Sequence, residues 1–409
     1  MPLVMFATLL YPALGFIVLN SYLTYNCTHL EKKLSITKEF IIIFAVAMAS
    51  FGYGMEPIGE TDLTRYFDMV DACKNFSFWE ILKNDGQYLY TRDLLFYFVH
   101  KTGNTHLLPF FVGVSIYGIC GYIIYDQIKN SCHRFTFFEF LMIIVISFSI
   151  ISPYSLIGNV RCVNSYVLIS FGAYRELVQK KRGILNYIIY IISIGLHVTA
   201  VIVVILRFIY PLFRKFKFLV IFSVFFIPNL IDFFYQFSDY YPSVIRGAVR
   251  SAYYYLHWTE GGWATEVEKS ISNKVGRFYG SFFLVSVIIC IFSYKRLTKD
   301  SLLKRNMISY LYGIIIVALA SLSIKTGGFW RFESIPVLFS AIYLVPIFES
   351  NNKTLKKMIV FIFISACVMG CINIVMLYRN LVPIETLGNM LSLTGLQVFG
   401  EVLRGLWLF

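Results

Sequence analysis

The stretch ISIGLHVTAVIVV, residues Ile192 to Val204, places one ionisable residue, His197, in an otherwise uncharged apolar sequence. It lies inside an apolar run over residues 183–212, which is long enough to cross a membrane with residues to spare. The position of this run relative to the basic clusters around it decides the topology of the chain. The topology in turn indicates which residues share a site.

The composition is typical of a membrane protein. Of the 409 residues, 58% are hydrophobic and only 14% are charged, whereas a soluble domain carries roughly 25% charged residues. Apolar runs of about 17 to 25 residues recur along the chain and are continuous rather than alternating, which favours helices over a barrel. The sequence therefore predicts an all-α, polytopic membrane bundle of about 10 to 12 transmembrane helices.

Several function classes are excluded by the charge pattern and by motifs. The net charge of +13 does not indicate a nucleic-acid partner, because membrane proteins accumulate Lys and Arg on cytoplasmic loops. The eight cysteines show no spacing typical of zinc sites. The absence of GxxxxGK[ST], GxSxG and HExxH argues against nucleotide hydrolysis, serine hydrolase chemistry and zinc peptidase chemistry.

The whole chain, 1–409, is interpreted as one integral-membrane domain. Its apolar runs predict helices over residues 3–22, 39–55, 105–127, 137–153, 159–178, 218–234, 278–294, 306–323, 332–349 and 358–378. Six loops carry basic clusters, at residues 32–38, 129–134, 180–182, 214–217, 295–305 and 353–357. By the positive-inside rule all six should be cytoplasmic.

Three segments then fall on the outer side. The segment 56–104 is acidic and is expected to form an outer loop with short interfacial helices. The segment 235–277 is a second outer loop. The segment 379–409 has helical spacing of apolar residues and is expected to be an amphipathic helix on the outer face.

The number of membrane crossings between two basic clusters constrains the run that contains His197. The clusters 180–182 and 214–217 can both be cytoplasmic only if residues 183–212 enter the membrane and return, turning near Gly195–Thr199. Each arm would be roughly 20 Å of helix, short of the roughly 30 Å of a full crossing. The sequence predicts a re-entrant or broken helix pair with His197 at the turn. His197 would either bond a neighbouring backbone carbonyl or serve a site.

Three arginines stand at predicted outer ends of helices: Arg65, Arg161 and Arg331. A single arginine at a membrane boundary can simply contact lipid headgroups. The convergence of all three with His197 on one side favours a binding site instead. A guanidinium binds phosphate oxygens in a bidentate way, and a helix start adds backbone donors. The expected ligand is a phosphorylated group at the outer leaflet.

The sequence resembles bacterial exopolysaccharide polymerases of the EpsG type, relatives of the O-antigen polymerase Wzy. The resemblance extends over about residues 39–350 and rests on five features in order. They are the Asp-x-x-x-Tyr element Asp62 to Tyr66, the acidic helix start Asp93, the arginine helix from Arg161 to Arg182, His197, and the late arginine Arg331.

The resemblance implies a GT-C-like membrane glycosyltransferase of the bacterial plasma membrane, with its active site facing the exterior. It would join oligosaccharide repeats linked to a polyprenyl lipid through pyrophosphate. Asp62 and His197 would be catalytic, one of them as the base for the acceptor hydroxyl. The pyrophosphate or sugar would be bound by Arg65, Tyr66, Asp93, Arg161 and Arg331. No cofactor is expected, and the GT-C analogy implies no obligatory catalytic metal, although the outer acidic loop could bind a divalent ion. The partners would be the lipid-linked oligosaccharide, the bilayer and a chain-length regulator protein.

Two other functions remain open from the residues alone. A flippase or transporter of the same lipid-linked sugars would bind them without forming a glycosidic bond. A transferase like the O-antigen ligase would use similar phosphate-binding arginines to attach finished glycan to an acceptor. Outer charges at helix ends favour an enzyme, since a transporter needs polar groups near the middle of the membrane that both sides can reach.

Overall fold

The described part of the chain is helical throughout. The computed structural model describes residues 2–28, 36–56, 61–83, 89–216, 226–242, 245–247, 249–250, 253–254, 278, 280–289, 302–323, 328–350, 352–380 and 384–407. Over these residues there are helices and no strands, which confirms the all-α prediction.

The described residues include twenty α-helices. In chain order they are α1 (Pro2–Leu10), α2 (Ala13–Thr28), α3 (Lys38–Gly54), α4 (Asp62–Ala72), α5 (Phe78–Lys83), α6 (Tyr90–Thr102), α7 (Leu107–Lys129), α8 (Phe137–Ser149), α9 (Pro153–Gly158), α10 (Cys162–Leu177), α11 (Ile184–Leu196), α12 (Ala200–Lys215), α13 (Ile227–Gln236), α14 (Gly280–Ile289), α15 (Leu302–Ser323), α16 (Gly328–Leu338), α17 (Ala341–Glu349), α18 (Lys353–Asn380), α19 (Ile384–Ser392) and α20 (Gly395–Trp407).

Several helix starts are determined by local sequence. Thr61 caps α4 by accepting a hydrogen bond from the backbone N–H of Thr64. Thr136 starts α8 with a capping box, in which the Glu139 side chain reaches back to the backbone N–H of Thr136. Such caps satisfy N–H groups that the first helical turn cannot pair.

Some predicted runs are divided into shorter helices. The predicted helix 3–22 becomes α1 and α2, which are separated at Tyr11 and Pro12. The predicted helix 137–153 ends at Ser149, and Ser152 caps a new helix with Pro153 in its first turn. Proline fits a helix start but removes a hydrogen bond inside a helix. Hydropathy alone does not register these interruptions.

Three described helical segments are long and apolar enough to cross a membrane: Leu107–Lys129 (α7), Arg331–Glu349 (α16 and α17 taken together) and Lys353–Ile374 (within α18). Shorter apolar helices cover Phe137–Ser149, Ile184–Leu196, Ala200–Phe213 and Gly280–Ile289. The three long segments indicate membrane association. Within the described residues they are fewer than the predicted crossings, about 10 to 12 in number, so the polytopic bundle stays a prediction. Interruptions shorten some of the predicted runs, and the runs 218–234 and 278–294 lie partly outside the described residues.

Two helices expose apolar side chains that an aqueous surface would not favour. On α18 the exposed large residues are Val360, Phe361, Ile364, Val368 and Ile374. On α11 they are Ile184, Leu185, Tyr187, Ile188, Ile191 and Ile192. Contiguous apolar surface of this kind marks contact with lipid or another apolar partner. It supports the same conclusion as the apolar lengths.

Helices α3 and α7 pack closely against each other. A Cβ atom added at Gly113 of α7 would lie 2.8 Å from the backbone Cα of Ala49, and one added at Gly52 of α3 would lie 2.6 Å from the carbonyl oxygen of Pro109. Small residues allow helix backbones to approach this closely. Helix α9 contacts both members of the pair, α6 contacts α7, and α4 packs in turn on α6.

The apolar run of residues 183–212 is interrupted within the predicted turn. Helix α11 ends at Leu196 and α12 begins at Ala200, so residues 197–199 join them. The end of α11 lies against the start of α6, because a Cβ added at Gly195 would meet Thr91 Oγ1 at 2.3 Å. The interruption therefore faces the beginning of α6, where Asp93 lies.

The predicted outer segments are partly described. Helices α4, α5 and α6 occupy the segment 56–104, and α19 and α20 occupy 384–407 of the segment 379–409. Residues 218–225 of the predicted helix 218–234 lie outside the described residues. So do residues 243–244, 248, 251–252 and 255–277 of the loop 235–277. The predicted helix 278–294 corresponds to α14, and its residues 290–294 are also outside.

Replacement of Gly113 by alanine should destabilise the protein. The new methyl group must displace the α3 backbone, and overpacking of this kind costs about 1–3 kcal/mol. The control is Gly118→Ala in the same helix, where the nearest atom to the added Cβ is Ala45 Cβ at 3.6 Å, an ordinary contact. Thermal unfolding in detergent should show a lower Tm for Gly113→Ala only. Equal Tm values for the two variants would contradict this close packing.

Candidate anion-binding site

Charged side chains from the first turns of four helices gather beside the α11–α12 interruption. Asp62 is the first residue of α4, and Asp93 is in the first turn of α6. Arg161 is the N-cap residue of α10, and Arg331 is the fourth residue of α16. Helix starts present unpaired backbone N–H groups, so their partial positive charge adds to that of the arginines.

The carboxylate of Asp62 lies between two arginines. Its Oδ2 is 3.8 Å from Nη2 of Arg331, and its Oδ1 is 3.9 Å from Nη1 of Arg65. The side chains of Asp62 and Arg65 are 36% and 57% exposed, against 23% for Arg331. Exposed pairs at these distances contribute little stability. Asp62 is thus an accessible carboxylate, and Arg65 lies on the rim of the site.

Arg161 packs over the ring of Tyr66. The guanidinium carbon is 4.8 Å from the ring centroid, within the range of a cation–π contact. Tyr66 is buried, and this burial raises the pKa of its hydroxyl, an effect that Arg161 opposes. The buried Nε of Arg161 has no hydrogen-bond partner among the described residues. Buried donors normally have a partner, so this atom is available to a ligand.

Arg92 and Asp93 form a tight pair at the start of α6. Nη2 and Nε of Arg92 lie 2.6 Å and 2.7 Å from Oδ1 of Asp93, and the Arg92 side chain is only 8% exposed. Burial raises the pKa of the Asp93 carboxyl, while Arg92 and Arg161 both oppose that change. The Asp93 carboxyl therefore interacts electrostatically with Arg92 on its own helix and with Arg161 at the start of α10.

His197 is the C-cap residue of α11 and has an extended backbone, with φ −152° and ψ 128°. Its Nδ1 is 2.6 Å from Oγ1 of Thr199, which is also 2.6 Å from the hydroxyl of Tyr166. The guanidinium groups of Arg92, Arg161 and Arg331 all act electrostatically on the imidazole. A hydrogen bond from the ring to a neighbouring carbonyl, the other expectation, is not found in the described part of the chain.

The structure brings together most of the residues singled out in the sequence. Asp62, Tyr66, Asp93, Arg161, His197 and Arg331 share one region, and Arg65 lies at its edge. Glu333, two residues after Arg331, points elsewhere, because its carboxylate lies against Gly280 of α14.

Three further residues belong to the site although sequence reasoning did not select them. They are Arg92, Tyr166 and Thr199. Arg92 directly precedes Asp93, and Thr199 lies within the predicted turn, so proximity in sequence could have indicated both. Tyr166 is one aromatic residue among many in apolar helices. Only the packing of α10 against α12 reveals its contact with Thr199.

Positive charge dominates the described part of the site. There Arg92, Arg161, Arg331 and the rim residue Arg65 face two aspartates, and each of these arginines contacts an aspartate or an aromatic ring. An excess of guanidinium groups in a partly enclosed region favours an anion, above all one with several oxygens. Among the described residues, no three His, Cys, Asp or Glu side chains gather in an arrangement that could hold a metal ion.

Comparison with protein-family models, with curated proteins and with solved structures found no match to this chain. The interpretation of the site therefore rests on its own residues and geometry.

Arg161→Gln and Arg331→Gln should each weaken binding of inorganic pyrophosphate by about 10-fold or more, since a hydrogen bond to a charged group contributes about 1.5–3 kcal/mol. Arg65→Gln is the matched control and should change the affinity by less than about 3-fold, because that side chain is exposed on the rim. Calorimetric titration of the protein in detergent gives the three affinities. The same affinity in both Arg161→Gln and Arg331→Gln as in the wild type would be inconsistent with an anion site here.

Proposed function

We propose that this protein is a membrane glycosyltransferase that joins polyprenyl-pyrophosphate-linked oligosaccharide repeats on the outer side of the bacterial plasma membrane. One observation carries the proposal: His197 lies where an apolar helix pair is interrupted, and the positive charges of Arg92, Arg161 and Arg331 all act on its imidazole. Cations are rare within apolar helix bundles, and where they cluster they mark a site for charged ligands. A pyrophosphate group attached to a lipid combines that charge with an apolar tail.

The residues of the site suit the chemistry of glycosyl transfer. The acceptor hydroxyl attacks the anomeric carbon of the growing chain, and the bond from that carbon to the lipid pyrophosphate breaks. The pyrophosphate leaves with the bonding electron pair, which the arginines stabilise. The hydroxyl proton passes to a general base, for which Asp62 and His197 are the candidates. Tyr66 and Asp93 would hold the arginines or the sugar in position.

Unpaired acceptors beside Arg161 support a sugar-containing ligand. Oδ1 of Asn159 and Oδ1 of Asn164 are buried with no hydrogen-bond partner among the described residues. Both flank the start of α10, where Arg161 lies. Buried oxygen atoms of this kind accept hydrogen bonds, and the hydroxyl groups of a sugar are donors. The site thus offers donors for a phosphate and acceptors for a glycan.

The exposed surface of α11 supports a lipid-linked rather than a soluble substrate. The apolar side chains along α11 lead to His197 at its end. A polyprenyl chain could lie along such a surface with its pyrophosphate among the arginines. We propose accordingly that the helices form a GT-C-like bundle that crosses the membrane many times and that α4, α6, α19 and α20 lie on its outer side.

A buried ion pair favours a second candidate, a flippase for the same substrate. Arg207 of α12 pairs with Glu176 of α10, and their side chains are only 12% and 7% exposed. Arg207 is ten residues from His197, or about 15 Å along a helix. A transporter needs polar groups at such a depth, whereas a transferase needs them only at the outer site. Accumulation of lipid-linked glycans distinguishes the two functions.

Deletion of the gene should abolish long polysaccharide chains while single repeat units are still made and exposed outside. Expression of the wild-type protein or of Arg65→Gln in the deletion strain should restore the ladder of long glycan chains on a gel. Neither Arg161→Ala nor Arg331→Ala should restore it. Units trapped inside the cell would instead identify a flippase, and long chains left on their lipid would identify a ligase. Normal chain length in both arginine variants would refute the leaving-group role.

The topology can be tested with two single cysteines in a background without native cysteines. Arg65→Cys should react with an impermeant maleimide added outside intact cells, because Arg65 is at the exposed rim of the site. Lys215→Cys, at the end of α12, should react only after the membrane is opened. Labelling of position 215 from outside would invert the proposed topology and place the site on the cytoplasmic side.

A further inference from the structure

The hydrogen bonds around His197 determine which ring nitrogen carries a proton. The backbone N–H of Thr199 donates to Nδ1 at 3.3 Å. A backbone N–H can only donate, so Nδ1 must be the acceptor, and the proton of the neutral ring is on Nε2. The Thr199 hydroxyl, 2.6 Å from Nδ1, then donates to the same atom.

A second hydroxyl completes this arrangement. Tyr166 is 2.6 Å from Thr199 Oγ1, and because the Thr199 proton is directed at the histidine, Tyr166 is the donor. Tyr166 is buried and stacks on Phe332 at 4.9 Å between ring centroids, so its hydroxyl is fixed. The chain of donors runs from Tyr166 through Thr199 to His197. Connected donors of this kind hold a ring in one tautomer and one orientation.

The surrounding charges disfavour a second proton on the ring. Arg92 approaches from α6, Arg161 from the start of α10 and Arg331 from α16, and among the described residues these are the charges that act on His197. All three are positive. A proton on Nδ1 would also face the Thr199 N–H, which cannot accept it. A general base must take up a proton during the reaction, and this environment opposes that step.

We propose that His197 is held as the neutral Nε2–H tautomer and donates a hydrogen bond from Nε2 to an anionic oxygen of the ligand bound by the three arginines. Thr199 and Tyr166 are positioning residues that fix this tautomer. The proposal rests on the proposed function for the nature of the ligand, but the tautomer itself does not. The role of general base then falls to Asp62, the accessible carboxylate of the site.

The tautomer can be measured directly in the full-length protein. Nitrogen-15 spectra of protein labelled at histidine, reconstituted in lipid nanodiscs, distinguish Nε2–H, Nδ1–H and the doubly protonated ring. Subtraction of the His197→Gln spectrum assigns the His197 signals among the six histidines. We expect Nε2–H from about pH 5 to about pH 8. A dominant Nδ1–H form, or protonation within that range, would overturn the proposal.

The part played by Thr199 has its own test. Thr199→Val removes the hydroxyl that donates to Nδ1, so the Nδ1–H form should become detectable. Thr199→Ser keeps the hydroxyl and should retain the wild-type spectrum. Unchanged histidine signals in Thr199→Val would show that this hydroxyl does not fix the tautomer.

Substitutions at His197 separate a donor from a base. A glutamine amide can donate from nearly the position of Nε2 but cannot accept a proton in catalysis. His197→Gln should therefore bind inorganic pyrophosphate more tightly than His197→Leu and keep part of the chain elongation, whereas His197→Leu should lose about 10-fold in affinity. Wild-type affinity with no elongation in His197→Gln would identify a general base. If the gene deletion leaves glycans unchanged, the proposed function fails while the tautomer and affinity results still decide the donor role.

Discussion

The architecture depends on one interruption in an apolar helix pair. Between α11 and α12 the backbone leaves the helical path, and in apolar surroundings its N–H and C=O groups must still find partners. The N–H of His197 bonds the carbonyl of Ser193, and the N–H of Thr199 bonds the imidazole. The imidazole that accepts the bond from Thr199 is also the group on which the charges of the arginines act. The same contacts that make the interruption stable therefore also orient the site.

The arginines are held by contacts of different kinds. Arg92 has a full ion pair with Asp93, Arg161 packs over an aromatic ring, and Arg331 lies 3.8 Å from the carboxylate of Asp62. A cation–π contact supports a guanidinium in a fixed position but does not cancel its charge. Among the described residues the arginines of the site outnumber the carboxylates, and an anion would balance that charge. This arrangement explains why an accessible aspartate, Asp62, can stand among arginines without closing the site.

The sequence was sufficient for the helical class, and it singled out several of the charged residues that the structure brings together. It was not sufficient for Arg92, Tyr166 and Thr199 or for the arrangement of the site. Apolar periodicity and length locate helices such as α3, α7 and α10 within a few residues. They do not reveal the helix interruptions at Pro12 and Pro153, because two or three residues hardly change the mean hydropathy of a long window. The charges were found because arginine and histidine are conspicuous in apolar sequence. Arg92 was not selected, because its short helix was interpreted as part of an interfacial segment. Tyr166 was not selected, because its role depends on a contact with Thr199 at the start of α12.

The two polar levels of the bundle bear on the direction in which a substrate approaches. The pair of Arg207 and Glu176 is closed on itself, so it offers no net charge to a passing pyrophosphate. The arginine site has excess positive charge among the described residues and lies at the end of an apolar surface on α11. Under the proposed function, a lipid-linked anion would be attracted to this site and would meet a neutral, paired level on α10 and α12. Passage across would require separation of this buried ion pair, which is strongly unfavourable when one partner is left alone. Within the proposed function, this difference in charge favours retention of the substrate, and hence transfer, at the arginine site.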